Sequence, residues 1–182
     1  MCKSELRFTG SGGQGVILGT IIMAEAAFLD GKNVVQSQSY GPEARGGMCK
    51  AEVLVDDKAV NYTKVTKPTC LLSLTQQSFD KYKDNLADNA VLVVDASIEV
   101  PSSINESHKV YKLPIIDSAK KVIKNPMAAN IISVGAVNEA LSLASKESLE
   151  NAVIAHIPKG TEEINVSAMN LGAKLIKEYT LH

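Results

Sequence analysis

The segment Glu5-Leu6-Arg7-Phe8-Thr9-Gly10-Ser11-Gly12-Gly13-Gln14-Gly15-Val16-Ile17 decides the fold class. Leu6 and Phe8 alternate with Arg7 and Thr9, the two-residue period of a strand, and the strand runs straight into a glycine turn. Past the turn, Val16, Ile17, Thr20, Ile21, Ala24, Ala27 and Phe28 recur at three- and four-residue spacing, the apolar stripe of a helix. Gly31 stands where a left-handed C-terminal cap is expected. In this context Gly10, Gly12 and Gly15 match the glycine fingerprint that presents backbone amides to a phosphate at a helix N-terminus. Two readings are open for Gly10, Gly12, Gly13, Gln14 and Gly15: a cofactor-binding phosphate loop, or a tight turn that only lets helix and strand pack closely. A dinucleotide fingerprint also needs an acid about 20 residues on, at the end of the second strand, to hold the ribose hydroxyls. The stretch Val34-Val35-Gln36-Ser37-Gln38-Ser39 contains none, which disfavours NAD and leaves a phosphate or pyrophosphate of another ligand.

Outward from this unit, residues 33–39 read as a second strand and 48–55 as a third. Residues 71–74 and 91–95 are short apolar runs that suit parallel strands buried on both faces, with a helical segment at 76–86 between them. Residues 96–107 are polar and irregular, and 109–113 read as an edge strand ended by Pro114. The remainder is helical. Asn125 and Pro126 cap a helix to about residue 144, and helices at 146–157 and 161–179 follow. Thr161 is the expected N-cap of the last one, with Glu162 and Glu163 where the helix dipole favours negative charge. The alternation of strands and helices predicts an α/β fold: a doubly wound, mostly parallel sheet with a Rossmann-like first βα unit and a C-terminal helical layer. At 182 residues the chain is most simply one domain, large enough to bury a core without staples.

Composition removes several function classes. Nineteen Lys and Arg against twenty Asp and Glu give a net charge of −1, no electrostatic footprint for nucleic acid or an anionic membrane. Aromatic content of 4% with no Trp argues against a base-stacking platform. Cys2, Cys49 and Cys70 are odd in number and widely spaced, so the chain builds neither a disulfide framework nor a zinc or iron–sulfur site alone. The longest apolar stretch, residues 16–29, includes Glu25 and falls short of the ~20 residues that span a bilayer. The charged start lacks the apolar run of a signal peptide, so a cytoplasmic location is expected.

A second constellation, Tyr40-Gly41-Pro42-Glu43-Ala44-Arg45-Gly46-Gly47, follows the second strand, at the edge where open α/β sheets place ligands. Arg45 offers a planar fork for a carboxylate or phosphate, and Gly46 and Gly47 allow close approach of a ligand or partner backbone. The alternative is a turn whose Arg45 pairs with Glu43 or Glu52. His156 reads as a hydrogen-bonded structural histidine rather than a catalytic one, and His108 and His182 as solvated. Asn130, in an apolar helix, needs a partner if buried: a strand backbone or another subunit. Asp95, at a strand's carboxyl end, either touches a ligand or caps the next turn. Cys49 and Cys70 read as small buried hydrophobes within strands.

Taken together, GSGGQGV at 10–16, QSYGPEARGG at 38–47, LLSLTQQSFDKY at 71–82, NIISVGAV at 130–137 and HIPKGTEEIN at 156–165 resemble, in this order, the gamma subunits of the 2-oxoacid:ferredoxin oxidoreductases. The similarity covers nearly the whole chain and is greatest to the 2-oxoglutarate type. The resemblance implies a single pyruvate/ketoisovalerate oxidoreductase gamma-type domain over residues 1–182. It further implies that this domain is part of an enzyme that oxidatively decarboxylates a 2-oxoacid, releases an acyl-CoA and reduces ferredoxin. It implies thiamine diphosphate, Mg2+ and 4Fe-4S clusters in partner alpha and beta subunits, with or without a ferredoxin-like delta subunit, and CoA as co-substrate. The sequence agrees by omission, having no cysteine cluster motif and no Gly-Asp-Gly followed by Asn to hold a Mg-diphosphate. By the same resemblance Gly12, Gly13, Gln14 and Gly15 form a candidate phosphate loop with Tyr40, Glu43 and Arg45 beside it; none is an acid, base, nucleophile or metal ligand, and the chain is inactive alone. The same role in a pyruvate or 2-oxoisovalerate enzyme, and a stand-alone nucleotide-binding oxidoreductase, are the alternatives.

Overall fold

The structure, a computed structural model, describes residues 3–39, 47–60 and 62–180. In chain order it runs β1 (Ser4–Ser11), α1 (Val16–Leu29), β2 (Asn33–Ser39), β3 (Met48–Asp56), β4 (Cys70–Ser73), α2 (Gln76–Tyr82) and β5 (Val91–Asp95). Then come α3 (Ser102–Ser107), β6 (Lys109–Leu113), α4 (Ile115–Lys121), a 3-10 turn (Pro126–Ala128), α5 (Ala129–Leu141), α6 (Lys146–His156) and α7 (Glu162–Thr180).

The six strands form one sheet in the order β2-β3-β1-β4-β5-β6. Strands β1, β4, β5 and β6 are parallel, as the short apolar runs predict. Strand β3 is antiparallel to both β1 and β2. Residues 40–47 are too few for the dozen or more that a parallel crossover needs, so β2 and β3 pair as a hairpin. The hairpin inserts β3 between β1 and β2, and β2 becomes the sheet edge.

Alternation along the strands divides the core between the two faces. Leu6, Phe8, Ala51, Val53, Leu72 and Val93 point to a large cluster completed by α1, α5, α6 and α7. Leu71, Leu92 and Val94 point the other way, to Phe79 of α2 and Ile104 of α3. Helices therefore cover both faces, and the doubly wound, mostly parallel arrangement stands. Over β1 and β3 the second face is polar but closed: Arg7 Nε donates to Glu52 Oε1 at 2.7 Å with both residues buried, and Glu5 Oε2 accepts the Thr66 and Lys67 N–H groups at 2.9 and 3.2 Å.

Several local expectations change. Phe28, counted in the α1 stripe, is 65% exposed while Ala26 and Ala27 just before it are fully buried, because the sheet, α5 and α6 cover only the alanine side of the last turn. The predicted cap holds: Gly31 has φ +79° and its N–H donates to Phe28 O at 2.9 Å. Helix α3 forms within the span expected to be irregular, and α2 stops at Tyr82. Helix α5 ends at Leu141, where Ser142 turns left-handed and the Asn138 amide bonds Ala144 through both its N–H and its carbonyl. Thr161 stands at the N-cap position of α7, its carbonyl accepting the Asn165 N–H at 3.2 Å, while its hydroxyl donates to Pro158 O and accepts from Asn165 Nδ2. Cys70 is fully buried, but Cys49 only half so.

The C-terminal layer rests on two reciprocal glycines. A Cβ on Gly135 of α5 would lie 2.0 Å from Met169 O, and one on Gly172 of α7 would lie 1.9 Å from Ile132 O. The two helices thus cross at backbone contact.

Candidate functional site

Strand β1 delivers the chain to α1 on one face of the sheet, while the neighbouring parallel strand β4 delivers it to α2 on the other. That divergence is the topological switch point, where open α/β sheets bind ligands beyond the carboxyl ends of the strands. The glycine loop occupies it.

The loop is braced from within by Gln14, whose Oε1 accepts the Ser11 N–H at 2.7 Å while the Gln14 N–H donates to Ser11 O at 3.2 Å. Gly10 makes room for that brace, since a Cβ there would sit 2.5 Å from Gln14 Oε1. Gly13 has φ +90° with open space around its Cβ position, and both Gly12 and Gly13 are exposed. Gly15 is the left-handed N-cap of α1, φ 71°, with no side-chain cap bond. The first helical bond runs from the Gly19 N–H to Gly15 O at 2.9 Å, so the Val16, Ile17 and Leu18 N–H groups face the loop mouth. No acid lies in the first turn of this 14-residue helix, so its positive end is unopposed there. Gly10 and Gly15 serve close packing, as the packing reading expects, while Gly12 and Gly13 leave their backbone exposed beside the N-terminus of α1.

Of the second constellation only Gly47 is described, and it lies at this edge. Gly12 N–H donates to Gly47 O at 2.9 Å, which ties the loop to the start of β3. Tyr40, Gly41, Pro42, Glu43, Arg45 and Gly46 lie outside the described residues. Glu52, one partner offered to Arg45, is held by Arg7 and by Lys50 at 3.3 Å.

The inserted β3 also bears on the missing acid. In a dinucleotide fold the strand carrying it lies beside β1; here β2 stands one strand further off, about 4.8 Å more. Geometry and sequence disfavour NAD together.

The other singled-out residues resolve as follows. Asp95 caps: Oδ1 accepts from Ser97 N–H at 3.0 Å and its hydroxyl at 2.6 Å, and Oδ2 from Ile116 N–H at 2.9 Å. His156 pairs through Nε2 with Glu25 and so links α6 to α1, a structural use. Burial pushes the Cys70 thiol up to about 12, leaving it inert near neutrality. Within the chain Asn130 bonds no strand backbone; its Nδ2 lies 3.5 Å from Gly15 O, in the loop.

The sequence reading missed Thr75 and Gln76, which begin α2 on the other side of the switch point. Leu74 N–H donates to Thr9 O at 3.1 Å, setting this turn against β1, and Gln76 bonds both Glu99 N and O. Their signal was position: they directly follow an apolar run that reads as a buried parallel strand.

The family model for pyruvate ferredoxin/flavodoxin oxidoreductase matches residues 5–175. The chain is 43% identical to the 2-oxoglutarate synthase subunit KorC of Methanocaldococcus jannaschii, over 97% of this chain and 95% of that one. It is 32% identical to the common gamma subunit of the pyruvate/ketoisovalerate oxidoreductases of Pyrococcus furiosus, over 82% and 84% of the two chains. Among solved structures, the gamma subunit of a keto/oxoacid ferredoxin oxidoreductase from Geobacter sulfurreducens superposes with a TM-score of 0.89 at 38% identity, over 98% of this chain and 99% of that one.

Proposed function

The chain belongs to the pyruvate ferredoxin/flavodoxin oxidoreductase family, and from that premise we propose that it is the gamma subunit of a 2-oxoglutarate:ferredoxin oxidoreductase whose glycine loop holds a phosphate of CoA. The reaction takes 2-oxoglutarate, CoA and oxidised ferredoxin to succinyl-CoA, CO2 and reduced ferredoxin. Greater identity to the 2-oxoglutarate synthase subunit than to the pyruvate/ketoisovalerate one, 43% against 32%, carries the choice of substrate.

In such an assembly thiamine diphosphate and iron–sulfur clusters on alpha and beta partners supply the decarboxylation and electron-transfer chemistry. This chain binds and orients. Exposed Gly12 and Gly13 let a phosphate approach the backbone, and the Val16–Leu18 amides offer it donors at the positive end of α1. Tyr40, Glu43 and Arg45 are assigned to the junction with ligand or partner beside this loop. Holding CoA by a phosphate remote from its thiol contributes to binding, read in the Michaelis constant for CoA, and needs no reacting group on this subunit.

Two measurements on the purified complex test the reading. With 2-oxoglutarate, pyruvate and 2-oxoisovalerate at equal concentration, 2-oxoglutarate is expected to have the highest specificity constant; a higher one for either other acid overturns the substrate. Gly13→Val has space for its side chain but at φ +90° strains the loop backbone, and it stands where the phosphate approaches. It is expected to raise the Michaelis constant for CoA about tenfold, roughly 1.4 kcal/mol. An unchanged constant in an assembled complex returns the loop to packing alone.

A further inference from the structure

Asn130 sits in the first turn of α5, 7% exposed, between Ala129 and Ile131. Its Oδ1 accepts the Ile131 N–H at 2.9 Å, which fixes the amide and turns Nδ2 toward the glycine loop. There Nδ2 lies 3.5 Å from Gly15 O, the same carbonyl that accepts the first helical N–H of α1, from Gly19. The contact is tight: a Cβ on Gly15 would be 2.3 Å from Nδ2. The amide thus fills the place of the side chain that Gly15 lacks and bears on a left-handed N-cap with no cap bond of its own. Helix packing alone would be better served by an apolar residue, because burying an amide is unfavourable unless its polar atoms are used.

We propose that Asn130 is a positioning residue for the phosphate loop: by holding Gly15 it sets the direction in which the first N–H groups of α1 face a bound phosphate. The inference rests on the reading that this loop holds a CoA phosphate. Asn130 acts through Gly15 and does not itself touch the ligand. A neutral donor is required at this place. A carboxylate there would set oxygen against the Gly15 carbonyl oxygen and add negative charge beside an anion site, whereas leucine, of similar size, adds no charge and removes both the Nδ2 donor and the Oδ1 acceptor of the Ile131 N–H.

The test is steady-state kinetics of the assembled complex carrying Asn130→Leu or Asn130→Asp, with CoA varied at saturating 2-oxoacid. The Michaelis constant for CoA is expected to rise about tenfold for Leu and further for Asp, with that for the 2-oxoacid unchanged and kcat at saturating CoA held within about twofold. A residue that only packs would lower the melting temperature or the yield of complex and leave the CoA constant alone; that result overturns the proposal. Gly13→Val measured alongside separates two failures. If it raises the CoA constant and the Asn130 variants do not, only the role of Asn130 falls; if none of them does, the phosphate-loop reading falls and takes this role with it. Should the Leu variant fail to assemble, amide exchange on the isolated full chain decides. Faster exchange at Gly19, with β4 and β5 unchanged, supports the brace, and uniform loosening overturns it.

Discussion

Arg7 and Glu52 stand opposite each other in the β1–β3 register, 4% and 6% exposed, with the guanidinium also 5.2 Å from the Tyr82 ring. Removing one partner of a buried pair strands the other charge, at a cost of about 3–5 kcal/mol. Lys50, 3.3 Å from Glu52, moderates that cost, so Arg7→Met is expected near the lower end, about 3 kcal/mol by urea unfolding. The double variant Arg7→Met/Glu52→Leu is expected to recover most of it; a single variant as stable as wild type would show the pair to be solvated. Cys70 gives the pH dependence. Its folded-state pKa is raised from 9.0 to about 12 by burial, so the stability tied to the protonated thiol is complete below about 9 and is lost as pH rises toward 12. Between pH 8 and 10 the wild type is expected to lose roughly 1.4 kcal/mol more than Cys70→Ala, and parallel pH profiles would contradict the burial. At this scale sequence is legible only in part. Alternation correctly put Leu6 and Phe8 on one face and Arg7 on the other, yet a strand pattern names two faces without saying which meets water, and here neither does.

Helices α5 and α7 cross where Gly135 and Gly172 replace side chains with bare backbone, and this contact sets how the C-terminal layer lies on the sheet. Gly172→Ala would gain about 1 kcal/mol of helix propensity. The added Cβ, however, meets Ile132 O at 1.9 Å and the Ala136 N at 2.8 Å, both backbone atoms of a buried helix that cannot step aside. Overpacking is expected to win, with a net loss of about 3 kcal/mol and a melting temperature lower by roughly 6–12 °C. A variant of unchanged stability would mean the helices part freely. Strands 33–39, 48–56 and 91–95 and the cap at Gly31 were readable because period, glycine position and polar flanks agree there. The antiparallel insertion of β3 was not, although its cause is written in the length of the 40–47 connection: strand direction follows from what a connection can span, not from the strand's own residues. Helix α3 was hidden for the opposite reason. Ser102–Ser107 has a polar pattern, and one buried residue, Ile104, suffices to dock it.

For the whole molecule, the glycine motif takes its place from topology. The glycine loop was legible as a strand–turn–helix unit; what was not legible is that α1 and α2 diverge beside it, that Asn130 braces it from 115 residues away, and that β3 pushes the end of β2 outward. Contacts across such distances leave no period in the chain. The same whole-molecule view argues what the isolated subunit does. Clusters of the 4Fe-4S type take four cysteine thiolates, and this chain has three cysteines, of which Cys70 lies buried with its thiol held up to about 12. Among the described residues no group of three or more His, Cys, Asp or Glu side chains is arranged to hold a metal ion. The isolated chain is therefore expected to stay colourless when iron and sulfide are supplied under reducing conditions. It is also expected to catalyse no 2-oxoacid-dependent dye reduction with CoA, thiamine diphosphate and Mg2+ present. Adding the other subunits of the oxidoreductase should restore turnover, and the extent of restoration should saturate with this chain as a binding isotherm does. Dye reduction by the chain alone would contradict the proposed division of labour, because a subunit that carries the reaction itself would need acids, bases or metal ligands at the switch point, where the described residues offer glycine, backbone amides and the neutral side chains of Ser11, Gln14, Thr75 and Gln76.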